Sequence, residues 1–483
     1  MAIVVQQQPG NFEPIGRELI MVATSTNVSN DKFNFVFDVK DGAGNLIARV
    51  LIAPNASNAG VFNYRELLQD QLSSELLTNN GGTNGFVGFT PYQPNPTDFY
   101  QYYNGKSIVA YEIEIGESYA ASPADSPIVY PNLANKVGLI FLGSLRPYFG
   151  FVNNGGVDYN MTSGLSRMLS DRTSLNPDHS VFAPYCDEPP SASGTFGVSV
   201  ERVNSKSWRS LELPSSALLS GNAWNQITYQ IKKKDGTIIT HTFAVPQASG
   251  TLTPGDHFCR IPAGPANLSM VDNHIPVTDQ PNTIGEDMEW YRFYASSSIS
   301  PGIRSWYYYF VWDANSCGGI NRSKFNQATI MWENTRGGFD YFDFNMRRTI
   351  TDTMKRKNYR KVLGNYYQTD GSGSGLTGAF DYEAYDHALQ PSQVYTTRSW
   401  RLSTDYLTEL DYMSIQSLFT SQKVWILTYL DTGVNGGSIT NLGRKAIPVN
   451  ITDTNFGLIQ MAGKKPATLT INLAQSQNRY YPR

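Results

Sequence analysis

Long apolar runs are missing from this chain. The longest, such as VGLIFLG at 137–143, are of strand length and too short to cross a bilayer as a helix, so no membrane insertion is expected. Cysteine is scarce as well. Cys186, Cys259 and Cys317 are odd in number and far apart, which fits neither a disulfide framework nor a zinc site. The opening MAIVVQQQPG shows no basic segment, apolar core and small-residue cleavage site, so the expectation is synthesis and folding in a reducing cytosol. Charge is thin: 16 % of residues are charged, against about 25 % in an average soluble protein. A net charge of −3 gives no reason to expect nucleic acid as a partner of the whole surface. Asn, Gln, Ser, Thr, Gly and Tyr fill the gap. Such a neutral polar surface costs little to desolvate and suits broad, permanent contacts with other protein chains. The same composition also fits glycan binding.

Catalytic signatures are absent too. No two of His179, His241, His257, His274 and His387 stand at metal-ligand spacing from each other. The sequence has no Gly-x-Ser-x-Gly, Walker loop or dinucleotide fingerprint. DYEAYDH holds Asp381, Glu383, Asp386 and His387, but as a calcium loop it lacks the central glycine and the twelfth-position glutamate. It reads as a solvated loop. Catalytic, cofactor-binding and metal-binding residues are therefore expected to be none.

What is present is strand pattern. Phe33, Phe35, Phe37 and Val39 alternate with polar neighbours, Asp41-Gly42-Ala43-Gly44 supplies a turn, and Leu46, Ala48 and Val50 alternate on the return. In KSIVAYEIEIGESY, Val109, Tyr111, Ile113 and Ile115 face inward while Glu112 and Glu114 face solvent. Asp235-Gly236 marks a hairpin with a two-residue turn in NQITYQIKKKDGTIITHTFAV. Two helices interrupt the strands. One spans about 63–79, with Asn63 as N-cap, Glu66 completing a capping box, and Leu68, Leu72 and Leu76 as its stripe. The other spans about 404–421, capped by Thr404 or Asp405, with Leu407, Leu410, Met413 and Leu418 near helical spacing.

At 483 residues the chain should form about three domains. The fold class is mainly β, a multi-domain β-sandwich architecture with two or so amphipathic helices packed on the sheets. Residues 1–14 read as an N-terminal arm and 15–189 as a β-rich domain with the first helix. Residues 190–275 read as a small immunoglobulin-like sandwich, with Pro262, Gly264 and Pro265 near its end. Residues 276–475 form a second β-rich domain with a flexible DGSGSGLTG (370–378), and 476–483 a tail.

The stretch MWENTRGGFDYFDF (331–344) gathers Glu333, Asp340 and Asp343 among aromatics. With NTRGG as a turn, the flanks pair as strands and Ile330 and Trp332 share a face. Asp340 and Asp343, three residues apart, then point to opposite faces with Cα atoms about 10 Å apart, and cannot converge on one glycosidic bond. The expectation is a hairpin whose carboxylates stay on polar edges, so that Asp340→Asn and Asp343→Asn are mild. The turn is expected to need at least one residue at positive φ, which Gly337 or Gly338 adopts without steric cost. The basic run MKRKNYRK (354–361) reads as a solvated strand end or a salt-bridge strip against an acidic neighbouring subunit, and less well as a phosphate-binding patch.

Several stretches together resemble a known family: FNFVFDVKDGAGNLIARVLIAPNASNAGVFNYRELLQDQL, IGESY…SPIVYPNL, SRMLSDRTSL, TIMWENTRGGFDYFDFNMRRT with RKNYRKV, and IPVNITDTNF…LTINLAQ. In this order they are similar to structural proteins of tailed bacteriophages, especially tail and baseplate components of crAss-like and related marine or Bacteroidota-infecting phages. Trp332, Asn334, Gly337, Gly338, Phe339 and Phe344 match the family's later motif, while Pro54-Asn55-Ala56 departs from its Pro-Asn-Pro. The resemblance implies a non-enzymatic virion protein. It would be made in the host bacterial cytoplasm and assemble as an oligomer in the tail, tail tip or baseplate with copies of itself and other virion proteins. The alternatives are a glycan- or receptor-binding tail protein, with a host surface glycan as partner, and a glycan-cleaving tail enzyme.

Overall fold

A computed structural model of the chain describes residues 3–10, 12–16, 18–72, 101–102, 108–141, 170, 198–205, 207–214, 225–244, 258–269, 274–296, 305, 307–312, 328–334, 338–360, 365–366, 380–381, 389–407, 409–429, 444–453, 468–476 and 479–481. The architecture is mainly β, with several sheets and a few short helices, as the alternation pattern requires.

The first unit is a sandwich. Strands Phe12–Pro14, Ile128–Phe141, Ile108–Ala120, Asp31–Asp41 and Leu46–Ile52 form a five-stranded sheet in that order. Its inner face, carrying Phe35, Phe37, Val39, Tyr111, Ile113 and Ile115, packs on Ile3, Met21, Ala23 and Phe62 of a three-stranded sheet. On the outer face Glu114 meets Lys40 at 2.5 Å and Asp38 takes a bidentate pair of bonds from Arg49, so the expected outward glutamates join a cross-strand polar ladder. Val50 packs on the core and Ala48 stands opposite Val39 as expected, but a bulge between Val39 and Lys40 flips the start of the return strand, leaving Leu46 53 % exposed while Ile47 packs on the core.

The arm expected at 1–14 is instead part of this unit. Ile3–Gln7 pairs with Ile20–Ser25, Phe12–Pro14 pairs with Ile128–Phe141, and Ile3 is buried. Three adjacent apolar residues followed by two glutamines give too short a pattern to read, yet backbone pairing needs no particular side chain. The expected first helix appears as Arg65–Gln69, N-capped at Tyr64, with Leu68 and Leu72 buried. Asn63 ends the preceding strand, and residues 73–100, Leu76 included, lie outside the described residues.

In the middle of the chain, Val198–Val203, Tyr307–Trp312, Met288–Ser296, Gln226–Lys233 and Ile238–Ala244 form one five-stranded sheet. The boundary expected at 275 therefore falls inside a sheet. A self-contained immunoglobulin-like sandwich over 190–275 is not what forms, because Met288–Ser296 runs beside Gln226–Lys233. Of the residues that suggested an end, Pro262 closes the strand Phe258–Pro262, Gly264 is the N-cap and Pro265 the first residue of a short helix, Pro265–Leu268, whose Leu268 is in the core. The Asp235-Gly236 hairpin is present with a longer turn. Lys233 and Thr237 close it, Gly236 has φ +87°, and three residues form the loop rather than two.

The last unit is an eight-stranded sheet, and Glu409–Thr420 packs Ile415 and Leu418 on it. This helix starts after Thr404 and Asp405, which lie in the strand Leu389–Tyr406; Thr404 Oγ1 accepts from the Leu469 amide instead of capping. Leu407 is buried, whereas the side chains of Leu410 and Met413 lie outside the described set. The expected tail at 476–483 contains a further strand, Arg479–Tyr481, paired with Val394–Thr396. The loop 370–378 is outside the described residues.

Two substitutions test this packing. Ile3→Ala should destabilise the protein by about 2 kcal/mol, as core truncations do, where a free arm would give no change in thermal unfolding. Gly116 faces Tyr130 across the five-stranded sheet, and a Cβ there would lie 2.4 Å from the Tyr130 carbonyl oxygen and 2.9 Å from the Pro131 Cα. Gly116→Ala should therefore cost about 1–3 kcal/mol, measurable by denaturant unfolding.

Candidate functional site

The hairpin forms as its alternation requires. Ala328–Glu333 pairs with Phe339–Phe344, with Ile330 opposite Phe342 and Trp332 opposite Asp340. Ile330, Trp332, Phe342 and Phe344 enter the core of the large sheet. Asn334 closes the turn with its backbone and side chain, its Oδ1 accepting from the Gly338 amide at 2.9 Å. Gly337 lies outside the described residues. Glu333 stands opposite Phe339, so it does not meet Asp343 across the strands.

The carboxylates are not on solvated edges. Asp340 is 3 % exposed and accepts from Ser170 Oγ at 2.6 Å. Asp343 accepts from Thr329 Oγ1 and Ser207 Oγ, both at 2.6 Å, and from the Arg209 guanidinium at 2.9 Å. Arg209 is itself buried and donates through Nε to Glu201 at 2.5 Å and through Nη1 to the Trp208 carbonyl at 2.8 Å. Alternation correctly puts Asp340 and Asp343 on opposite faces. It does not tell that the second face is covered by another sheet.

That covering sheet carries a matching set. Strands Ser210–Pro214 and Phe258–Pro262 pair with Glu212 opposite Arg260. Arg260 Nε donates to Glu212 Oε1 at 2.9 Å, Ser210 Oγ donates to the same oxygen, and the Phe339 amide donates to Oε2 at 3.3 Å. Ser210 Oγ also lies 2.7 Å from the Tyr341 hydroxyl, and the Arg260 guanidinium stacks 4.8 Å from the Phe339 ring centre. A seam of buried, mutually hydrogen-bonded polar groups thus joins the middle of the chain to the hairpin. Arg209, Glu212 and Arg260 escaped the sequence reading. The available signal was one opposite charge in each of two short apolar strands, SLELP and FCRIP.

Electrostatics follow from burial and pairing. Burial acts against the Asp343 carboxylate, but Arg209 and the hydroxyl donors outweigh it and hold the carboxyl below its usual value. Burial likewise acts against charge on Arg209, and Asp343 with Glu201 overturns it, raising the guanidinium. For Glu212 burial wins over Arg260, so its carboxyl is raised. Burial also pushes the Tyr341 hydroxyl up to about 12.

A second feature is exposed. Strand Arg348–Arg360 pairs along its length with Leu389–Tyr406, and its residues Thr349–Asn358 are exposed on both faces. Its one acid, Asp352, is held by a bidentate pair of bonds from Arg398 at 2.7 and 2.8 Å.

Among the described residues no group of three or more His, Cys, Asp and Glu is placed to hold a metal ion. His241 Nε2 lies 3.0 Å from Asp279; His179, His257 and His387 lie outside the described residues, as do Glu383 and Asp386. Compared with known proteins, the chain matches no protein-family model and no curated protein.

The seam makes the expectation of mild aspartate substitutions fail. Asp343→Asn should cost about 3 kcal/mol, since it leaves buried Arg209 short of a charge partner. The pH dependence has a defined sign. Because Asp343 is depressed when folded, its contribution is present above its unfolded value near 3.8 and is lost as pH falls through the folded value. Glu212 is raised and acts oppositely, costing stability as pH rises past 4.5. Tyr341 contributes below pH 10, and that contribution disappears as pH rises toward 12. Chemical unfolding from pH 2 to 12 should show a shallower acid limb in Asp343→Asn and a shallower alkaline limb in Tyr341→Phe. Unchanged limbs would contradict the seam.

Proposed function

We propose that this chain is a non-enzymatic structural protein of a tailed-phage virion, assembling as an oligomer in the tail, tail tip or baseplate. Its partners are copies of itself and other virion proteins, and it is made in the host bacterial cytoplasm. The observation that carries this reading is the fate of the hairpin's carboxylates. Asp343 is engaged by three donors from its own sheet and from the middle of the chain, an arrangement that holds geometry rather than one that receives a substrate. The ordered series of motifs resembling tail and baseplate proteins supplies the setting, and the low charge supplies a surface suited to broad contacts.

The test is to locate the chain in purified particles by antibody labelling and electron microscopy, while assaying the pure protein against host surface glycans. Several copies in the tail region with no glycan binding or cleavage are expected. Saturable glycan binding favours the receptor-binding alternative. Glycan cleavage lost in Asp340→Asn or Asp343→Asn with folding intact makes the chain an enzyme.

A further inference from the structure

We infer that the strand Arg348–Arg360 is a docking edge for the acidic N-terminal sandwich of a second copy of this chain. The inference deepens the proposed oligomeric role and rests on it. Its starting point is that this strand ends the eight-stranded sheet, and among the described residues Leu389–Tyr406 is its one partner. Its far edge thus presents backbone donors and acceptors over 13 residues. Exposed edges of that length are templates for further pairing unless charge blunts them.

Charge decides which partner fits. Residues 345–361 carry seven Lys and Arg against one Asp, and Arg398 already neutralises that Asp352. Pairing this edge with its own counterpart in a second copy sets Lys355, Arg356 and Lys357 against themselves in parallel register and in an antiparallel register centred on Arg356, while one centred on Met354 sets Arg348 against Arg360 and gives Arg356 only Asp352, which Arg398 already holds; like charges directly opposite are destabilising. The complementary surface lies at the other end of the chain. Residues 1–141 carry thirteen Asp and Glu against seven Lys and Arg, although the chain as a whole has a net charge of only −3. Of these acids, Asp31, Glu66, Asp70 and Asp125 are exposed on the first unit. Ile350 and Met354, 47 % and 58 % exposed, lie four residues apart on one face of the strand and supply apolar contact between the cations. A contact between two different surfaces of identical chains is heterologous, so it propagates into a ring or a filament rather than closing a twofold dimer.

The experiment mixes isotopically light and heavy full-length protein, treats it with a zero-length carbodiimide cross-linker, and maps products by mass spectrometry alongside sedimentation at low and high salt. Expected are light–heavy links from Lys355 or Lys357 to carboxylates within residues 1–141, with salt-sensitive association. The triple variant Lys355→Glu, Arg356→Glu, Lys357→Glu should weaken association about tenfold or more while melting as the parent does, since all three side chains are exposed. A monomer at every concentration overturns the inference. So does association with links mapping elsewhere, which leaves the virion reading standing. Salt-sensitive binding of duplex DNA through this strand, with self-association unchanged by the triple variant, overturns it in favour of a polyanion.

Discussion

A buried guanidinium held between two carboxylates is the constraint on which the arrangement of the sheets depends. Arg209 reaches Glu201 and Asp343 at 2.5 and 2.9 Å with its side chain 1 % exposed. Removing such a charge from water costs several kcal/mol, and only close, well-directed partners offset it. Those partners come from separate strands, Val198–Val203 and Phe339–Phe344, so the pair is satisfied only when both sheets are in place. Ser207, Thr329, Glu212 and Arg260 extend the same requirement outward. A half-satisfied version of this network would be worse than an apolar contact, which favours one relative placement of the two sheets over near alternatives.

The molecule buries cations in a second way. Arg292, 4 % exposed, sits among the rings of Trp290, Tyr294, Tyr307 and Tyr309, 4.5 Å from the nearest ring centre, and donates to the Tyr309 hydroxyl and to Gln230. Aromatic faces and neutral acceptors stabilise that charge. This is one use of the high tyrosine content that the composition alone could not distinguish from surface display. In contrast, the strand Arg348–Arg360 leaves Lys355, Arg356 and Lys357 in water, where each pair with a neighbour contributes little.

Much of the fold was legible because period-two alternation is a local signal. The Phe33–Val39 strand, the Tyr111–Ile115 face and the 331–344 hairpin follow from it directly. What stayed hidden depends on long-range neighbours. The strand Ile3–Gln7 is too short and Gln-rich to show a pattern, and the second helix starts late because Thr404 serves a neighbouring strand. The Asp343 partners Arg209 and Ser207 lie more than 130 residues away, so no window of sequence contains both ends of the contact. Alternation told which way Asp343 points. It carried no information on what meets it there.

The most direct test of the seam is a double-mutant cycle on Arg209→Met and Asp343→Asn, read by equilibrium unfolding. Contact within one buried network predicts strong coupling, with the double variant about 2 kcal/mol or more better than the sum of the single losses. Losses that add to within about 0.5 kcal/mol would contradict it, and would mean that the two side chains do not depend on each other to join the sheets.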